Sequence, residues 1–134
     1  MASITDIEGI GESYAEKLKA AGATSVEKLL EHGGTKKGRE ALAEATGLSD
    51  SLILKWVNHA DLFRITGVAG QFAELLEAAG VDSVPELAQR NAANLAAKMA
   101  EINEQKNLTN RVPTEADCQK WIDEAKTLER AVTH

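Results

Sequence analysis

The sequence has little of what disulfide-bonded, β-rich or membrane proteins need. It contains one cysteine, Cys118, so no internal disulfide can form. Two prolines and an aromatic content of 4%, beside abundant Ala, Leu and Glu, favour helices over strands. No run approaches the roughly 18 apolar residues of a membrane span, and the first residues do not resemble a signal peptide. We therefore expect a cytoplasmic, all-α protein that is not embedded in a membrane.

Basic charge is also in short supply. Residues 1–62 contain seven basic and ten acidic side chains and residues 63–134 contain eight and eleven, so each half carries −3 of the net charge of −6. This balance works against the large basic surface that supplies non-specific affinity for nucleic acids. A length of 134 residues with 43% apolar content fits one compact domain, residues 1–134, better than two independent ones.

The most informative feature present is a gapless internal repeat. Residues 7–30 align with residues 65–88 at a spacing of 58, and 11 of the 24 aligned positions are identical. The identical pairs include Gly9 with Gly67 and Gly22 with Gly80. Self-similarity of this kind indicates tandem copies of one supersecondary unit.

A second matched segment lies near the end of each half. The sequence KWVNHA at residues 55–60 matches KWIDEA at residues 120–125, now at a spacing of 65. The difference predicts about seven extra residues in the second half, and the polar, proline-containing residues 107–114 are expected to form an exposed loop. The chain is thus divided into repeat 1, about residues 1–62, and repeat 2, about residues 63–134.

Apolar spacing predicts the helices of the first half. Helices are expected over residues 12–21 and 37–46, with a short helix between them and a fourth after them. Gly22 is placed to end the first helix. Thr24, with Glu27 three residues later, matches a capping box that would begin the short helix.

The last helix of each half is predicted to bury a tryptophan. Trp56 and Trp121 occupy equivalent positions in apolar stripes, which indicates core packing for both. In the second half a longer helix is expected over residues 91–105, and Thr114, with Asp117 three residues later, is expected to cap the final helix.

Two glycine-containing turns immediately precede helix starts. Glycine allows positive φ and leaves backbone N–H groups unshielded, so such a turn can hold a phosphate on N–H groups and the helix dipole. The structural alternative is a tight turn that only packs helix against helix. The candidate binding residues in these turns are Gly9, Ile10 and Gly11 in the first half and Gly67, Val68, Ala69, Gly70 and Gln71 in the second.

The segment IEGIGESYAEKLKAAG, residues 7–22, resembles the helix-hairpin-helix superfamily in its Gly-apolar-Gly turn followed by Ala and Leu on a helix. With TSVEKLL at residues 24–30 it is similar to the C-terminal domain of the bacterial RNA polymerase α subunit and to N-terminal domains of recombinases. A bacterial family of unestablished function with two such units resembles the whole chain best. The resemblance covers residues 4–31 and, less closely, 62–89. It implies tandem helix-hairpin-helix repeats that form one pseudo-symmetric helical domain.

In members of this superfamily that bind DNA, the resemblance implies turn amides directed at a phosphate with a Lys or Arg nearby. Here Glu12 follows the first turn, and its carboxylate would repel a phosphate. The second turn has Ala69 in place of the second glycine and no acidic residue at its helix start. If either turn meets phosphate, the second is therefore favoured.

The remaining candidate functional features are a small basic cluster, the single cysteine and the histidines. Lys36, Lys37 and Arg39 form a cluster that is either a solvated helix start or a contact for a phosphate or an acidic partner. Cys118 shares the apolar stripe of Trp121, so its thiol is expected to be buried, with a raised pKa and low reactivity. The three histidines and the cysteine share no metal-ligand spacing, and no catalytic triad is visible.

The sequence thus predicts an all-α, non-catalytic module with no cofactor and no metal. Net charge favours a protein–protein adapter or assembly factor with a protein partner. The resemblance keeps open the alternative, sequence-independent binding of a DNA or RNA backbone through the hairpins. A membrane partner is not expected.

Overall fold

The computed structural model describes residues 3–133. Within this range the chain forms a 3-10 helix, Ile4–Asp6, and eight α-helices. The described residues contain no β-strand, and one isolated bridge joins Ser3 to Ser25. The predicted all-α class is confirmed.

The helices agree closely with the apolar spacing of the sequence. The three helices for which both ends were predicted begin and end within one residue of the predicted positions. The eight are α1 (Glu12–Ala20), α2 (Val26–Gly33), α3 (Lys36–Thr46), α4 (Asp50–Leu62), α5 (Gly70–Ala78), α6 (Val84–Ala88), α7 (Ala92–Lys106) and α8 (Glu115–Ala125).

The described residues group into two compact units. Unit 1 comprises residues 3–61 and 131–133, and unit 2 comprises residues 62–130. The chain therefore passes from unit 1 to unit 2 at the end of α4 and returns after residue 130. The prediction that both halves share one core as a single domain stays a prediction.

Capping residues fix where the helices begin. Ser25, and not Thr24, caps α2, because its hydroxyl accepts the amide of Lys28 at 3.1 Å. The prediction for Thr24 is therefore wrong by one residue. The capping box at α8 is confirmed, since Thr114 and Asp117 exchange side-chain to backbone hydrogen bonds of 3.0 and 3.1 Å.

Each unit buries one tryptophan, as predicted. Trp56 is 1% exposed in unit 1 and Trp121 is 5% exposed in unit 2. In unit 1, α4 is buried more widely than an amphipathic stripe requires: every residue from 56 to 61 is buried, including Asn58 and His59. In unit 2, α8 contacts both α6 and α7, and α5 packs on α7.

The segment of residues 107–114 is a loop and is largely exposed, as predicted, with two exceptions. Thr109 and Pro113 are buried. The side-chain amide of Asn103 holds Thr109 by donating to its carbonyl at 3.0 Å and accepting its N–H at 2.9 Å. These two hydrogen bonds satisfy the backbone groups of Thr109 where it packs near the end of α7.

Candidate functional site

The two glycine-containing turns have matching backbone structure. We name residues 7–11 hairpin 1 and residues 65–69 hairpin 2. In hairpin 1 the amide of Ile10 donates to the carbonyl of Ile7 at 3.1 Å, and in hairpin 2 the amide of Val68 donates to the carbonyl of Ile65 at the same distance. Each hairpin leads directly into a helix of nine residues, α1 or α5.

Only the first glycine of each hairpin needs to be a glycine for conformational reasons. Gly9 has φ of +92° and Gly67 has φ of +88°, which side-chain-bearing residues rarely adopt. Gly11 has φ of −87°, and a Cβ added there would meet nothing within 4 Å. Ala69 stands at the equivalent position of hairpin 2 with φ of −134°. The expectation of special backbone freedom is thus wrong for the second position.

The apolar residue inside each turn serves the core. Ile10 and Val68 are both 4% exposed, so their side chains anchor the turns and are not available to a partner. Gly70, the first residue of α5, is buried as well, whereas Gln71 is exposed. The hairpins therefore present to solvent their backbone and the side chains of Glu8 and Thr66.

Each hairpin packs against the tryptophan of its own unit. The Cβ position of Gly9 lies 3.6 Å from the indole nitrogen of Trp56, and that of Gly67 lies 3.5 Å from the indole nitrogen of Trp121. A second ring completes each cluster. Tyr14 lies 5.1 Å from Trp56 and Phe72 lies 5.6 Å from Trp121 between ring centroids, both tilted. These contacts show that the turns support the cores of their units.

The helices that follow the hairpins begin without a side-chain cap. The N-cap residues of α1 and α5 are Gly11 and Ala69, neither of which makes a side-chain hydrogen bond. The other helices begin at Ser, Thr or Asn residues whose side chains accept a first-turn amide. First-turn N–H groups of α1 and α5 are thus left without a side-chain acceptor from the cap.

A carboxylate accompanies each hairpin. In hairpin 1 this is Glu12, the exposed first residue of α1. In hairpin 2 it is Glu124 of α8, which accepts the amide of Thr66 at 3.0 Å and its hydroxyl at 3.3 Å. The sequence pointed to Glu12 and missed Glu124. The aligned segments KWVNHA and KWIDEA place Glu124 opposite His59, so the repeat gave no signal for it.

The basic cluster divides into two exposed lysines and one buried arginine. Lys36 and Lys37 are exposed at the start of α3. Arg39 is 6% exposed, and its guanidinium donates to the carbonyls of Gly33 and Thr133, at 3.0 and 2.6 Å. Burial lowers the pKa of the Arg39 guanidinium. The side chain stays positively charged, because a guanidinium is not deprotonated in proteins. The expectation of a solvated cluster therefore holds for the lysines and not for Arg39.

The surroundings of Lys36 are of mixed charge. Lys36 lines a cavity of about 280 Å³ in unit 1, and Glu40, Asp50 and Arg39 line the same cavity. In unit 2, Arg111 lies over the ring of Phe72 at 5.4 Å and pairs with Asp117 at 2.7 Å. That hydrogen bond and the amide of Thr114 lower the pKa of Asp117 to about 2. At both positions, the Lys36 cavity and the Arg111–Asp117 pair, acidic groups accompany the basic ones.

Comparison with known proteins identifies the family. The family model of a domain of unknown function, DUF4332, matches residues 8–128. The chain belongs to that family. No curated protein and no solved structure matches the chain. The match spans both hairpins and both tryptophans of this DUF4332 protein.

Cys118 offers no reactive thiol. It is fully buried in unit 2, and desolvation, with smaller contributions from Asp117 and Glu115, raises its pKa to about 11, as the sequence predicts. Among residues 3–133, no three His, Cys, Asp or Glu side chains come together in a group that could hold a metal. His134 lies outside the described residues. No helix within the described range is long and apolar enough to cross a membrane.

The hairpin glycines give a prediction that separates the two positions. Gly9→Ala is expected to lower the free energy of unfolding by about 1–3 kcal/mol, because alanine is strained at a φ of +92°. Gly11→Ala is expected to change it by less than about 0.5 kcal/mol, since its φ is ordinary and space is open. Urea unfolding of both variants is the measurement. Equal losses at the two positions would contradict this account of the turn.

Proposed function

We propose that this DUF4332 protein is a non-catalytic interaction module of two helix-hairpin-helix units in tandem, and that its partner is a protein. The observation that carries the choice of partner is the carboxylate at each hairpin. Glu12 stands at the amides of α1, and Glu124 accepts the amide of Thr66 in hairpin 2. Negative charge thus lies at both turns, at the start of α1 in unit 1 and at the Thr66 amide in unit 2.

Electrostatics support a protein over a nucleic acid. A phosphate that approached either hairpin would meet a carboxylate nearby, and phosphate binding generally requires several cations that converge on one face. Apart from the exposed Lys37, the cations described above either lie beside an acidic residue or are hydrogen-bonded to other groups. Arg111 pairs with Asp117, Arg39 is occupied by backbone carbonyls, and Lys36 shares its cavity with Glu40. The net charge of −6 points the same way.

The helix-hairpin-helix assignment is supported by the paired turns. Equivalent glycines, Gly9 with Gly67 and Gly22 with Gly80, have φ values within 4° of each other in each pair. The resemblance of residues 7–30 to superfamily hairpins agrees with this correspondence. The lone buried cysteine agrees with a reducing compartment such as the cytoplasm.

One observation favours the second candidate function, binding of a DNA or RNA backbone. The first-turn amides of α1 and α5 have no side-chain cap, and such amides bind anions in other proteins. Hairpin 2 is the favoured contact because α5 has no acidic residue in its first turn. Lys36 and Lys37 are exposed and would be the cations available in unit 1.

Fluorescence anisotropy with a labelled duplex and a labelled single strand tests the choice. At salt concentrations of roughly 50 and 150 mM, which differ in electrostatic screening, we expect weak binding at most at the lower concentration and none at the higher. Glu124→Gln, which removes the carboxylate charge at hairpin 2, serves as the sensitised variant. Recovery of the same protein partner from lysates with and without nuclease, followed by binding of the purified partner, is the complementary expected result.

Two results would overturn the proposal. Tight nucleic-acid binding at the higher salt concentration, lost when Lys36 and Lys37 are changed to Glu, would establish the second candidate. Loss of that binding on Gly67→Ala, with Gly11→Ala unaffected, would assign it to hairpin 2. A partner whose recovery disappears after nuclease treatment would also contradict a direct protein contact.

A further inference from the structure

Residues 131–133 dock on the corner between α2 and α3 of unit 1. We name Gly33, Gly34 and Arg39 the α2–α3 corner. The amide of Thr133 donates to the carbonyl of Gly34 at 2.7 Å, and the carbonyl of Thr133 accepts from Arg39 at 2.6 Å. Both backbone groups of one residue are therefore satisfied by residues about 100 positions earlier in the chain.

Arg39 holds the two sides of this contact together. One guanidinium nitrogen donates to Gly33 and Gly34 at 3.0 and 3.2 Å, while the other donates to Thr133. With the segment in place the arginine is itself buried. Hydrogen bonds from a charged donor to a carbonyl are stronger than neutral ones.

Shape reinforces the hydrogen bonds. Val132 is 2% exposed, so its side chain is buried in the protein. A Cβ on Gly34 would lie 2.5 Å from the carbonyl oxygen of Ala131 and 3.0 Å from that of Leu30. The φ of Gly34 is −64°, a value that any residue adopts. The glycine is therefore needed for close approach, most of all by residues 131–133, and not for a special backbone conformation.

We propose that the α2–α3 corner is a peptide-docking site and that residues 131–133 occupy it from within the chain. The contacts define the ligand: a segment with a small β-branched apolar residue, followed by a residue whose backbone N–H and C=O are both recognised. In docking of this kind, the site recognises a peptide by hydrogen bonds to its main chain and by one pocket for a side chain. A partner segment with this chemistry binds the corner once residues 131–133 leave it.

This inference rests on the proposed role as a protein-binding module and names the surface and the partner chemistry for it. It concerns a different part of unit 1 from hairpin 1. Because the peptide experiment measures binding at the α2–α3 corner alone, it can fail while a protein partner binds elsewhere. Conversely, tight nucleic-acid binding would overturn the proposed function without affecting the peptide result.

The test uses a fluorescein-labelled peptide of residues 127–133, amidated at its end. Its affinity is measured by anisotropy for the full chain and for full-length Val132→Asp, in which a buried carboxylate is expected to release the segment. A chain shortened to residues 1–130 provides a second open form. We expect both open forms to bind the peptide at least tenfold more tightly than the full chain does, provided circular dichroism shows that they are folded.

Matched glycine variants assign the site. Gly34→Ala introduced into the open forms is expected to weaken peptide binding at least tenfold, whereas Gly11→Ala, at an unobstructed position, is expected to leave it unchanged. A peptide with Asp in place of Val132 is expected not to bind. In the wild-type chain, a large excess of the normal peptide is expected to shift the NMR signal of the Thr133 amide as the segment is displaced.

The proposal has clear failing outcomes. Equal peptide affinity of the closed and open forms would overturn it, as would peptide binding that Gly34→Ala does not weaken. If both open forms fail to fold, an unchanged Thr133 signal at saturating peptide in the wild-type chain would show that residues 131–133 are a permanent part of the unit.

Discussion

Replacement of Trp56 or Trp121 by alanine is expected to lower the free energy of unfolding by about 3–5 kcal/mol. Each indole is almost fully buried, so truncation removes a large apolar area and leaves a cavity that the surrounding helices can fill only in part. Each also contacts the positive-φ glycine of its hairpin and the ring of Tyr14 or Phe72. Urea unfolding followed by circular dichroism gives the loss for each variant.

The matched control is Tyr14→Ala. Tyr14 contacts Trp56 but is 37% exposed, so its removal is expected to cost about 0.5–1.5 kcal/mol, the range of an aromatic pair. Trp56→Phe retains a ring in the cavity and is expected to cost less than Trp56→Ala. A loss for Trp56→Ala no greater than that for Tyr14→Ala would show that the indole does not organise the unit.

Local chemistry explains why the helices could be predicted from the sequence. Apolar spacing is a property of single helices, and it placed α1, α3 and α7 to within one residue. The tryptophans were identified in the same way, from stripes that recur in both halves. The alignment of the two repeats also indicates the correct cap of α2, which the local capping rule missed. Thr24 matches a capping-box spacing, yet its aligned residue is Asp82, whereas Ser25 aligns with an identical Ser83, and these two serines are the caps.

The features that sequence reasoning missed depend on residues far apart in the chain. Glu124 meets Thr66 across 58 residues, and Arg39 meets Thr133 across 94. Periodicity and capping rules extend over one or two helical turns, so they carry no information about such pairs. For the same reason Arg39 was grouped with Lys36 and Lys37 by proximity in sequence, although burial separates it from them in the structure.

In the hairpins, the residues that fix the turn conformation differ from those that bear on ligand binding. In both units the turn conformation is fixed by one glycine and by a buried apolar residue, Ile10 or Val68. Those requirements belong to the fold and are independent of any ligand. What would distinguish a DNA-binding hairpin is the charge around its amides, and here Glu12 lies at the start of α1 and Glu124 accepts the Thr66 amide of hairpin 2. The carboxylates therefore bear on function more directly than the glycines do.

Arg39→Met is expected to lower the free energy of unfolding by about 2–4 kcal/mol. Methionine fills a similar volume, but the buried carbonyls of Gly33 and Gly34 and the partly buried carbonyl of Thr133 lose their charged donor. An unsatisfied buried carbonyl costs about 1–3 kcal/mol, and part of the sum is recovered because a guanidinium no longer has to be desolvated.

Lys37→Met is the matched control for Arg39→Met. Lys37 is exposed two residues away on the same helix, and its change to methionine is expected to alter the free energy of unfolding by less than about 0.5 kcal/mol. Arg39→Lys retains the positive charge but lacks the planar set of donors that spans both sides of the contact, so its loss is expected to fall between the other two. Urea unfolding of the three variants gives the order. If Arg39→Met costs no more than Lys37→Met, the buried guanidinium contributes only its volume, and the docking of residues 131–133 has to depend on Val132 and the Gly34 carbonyl alone.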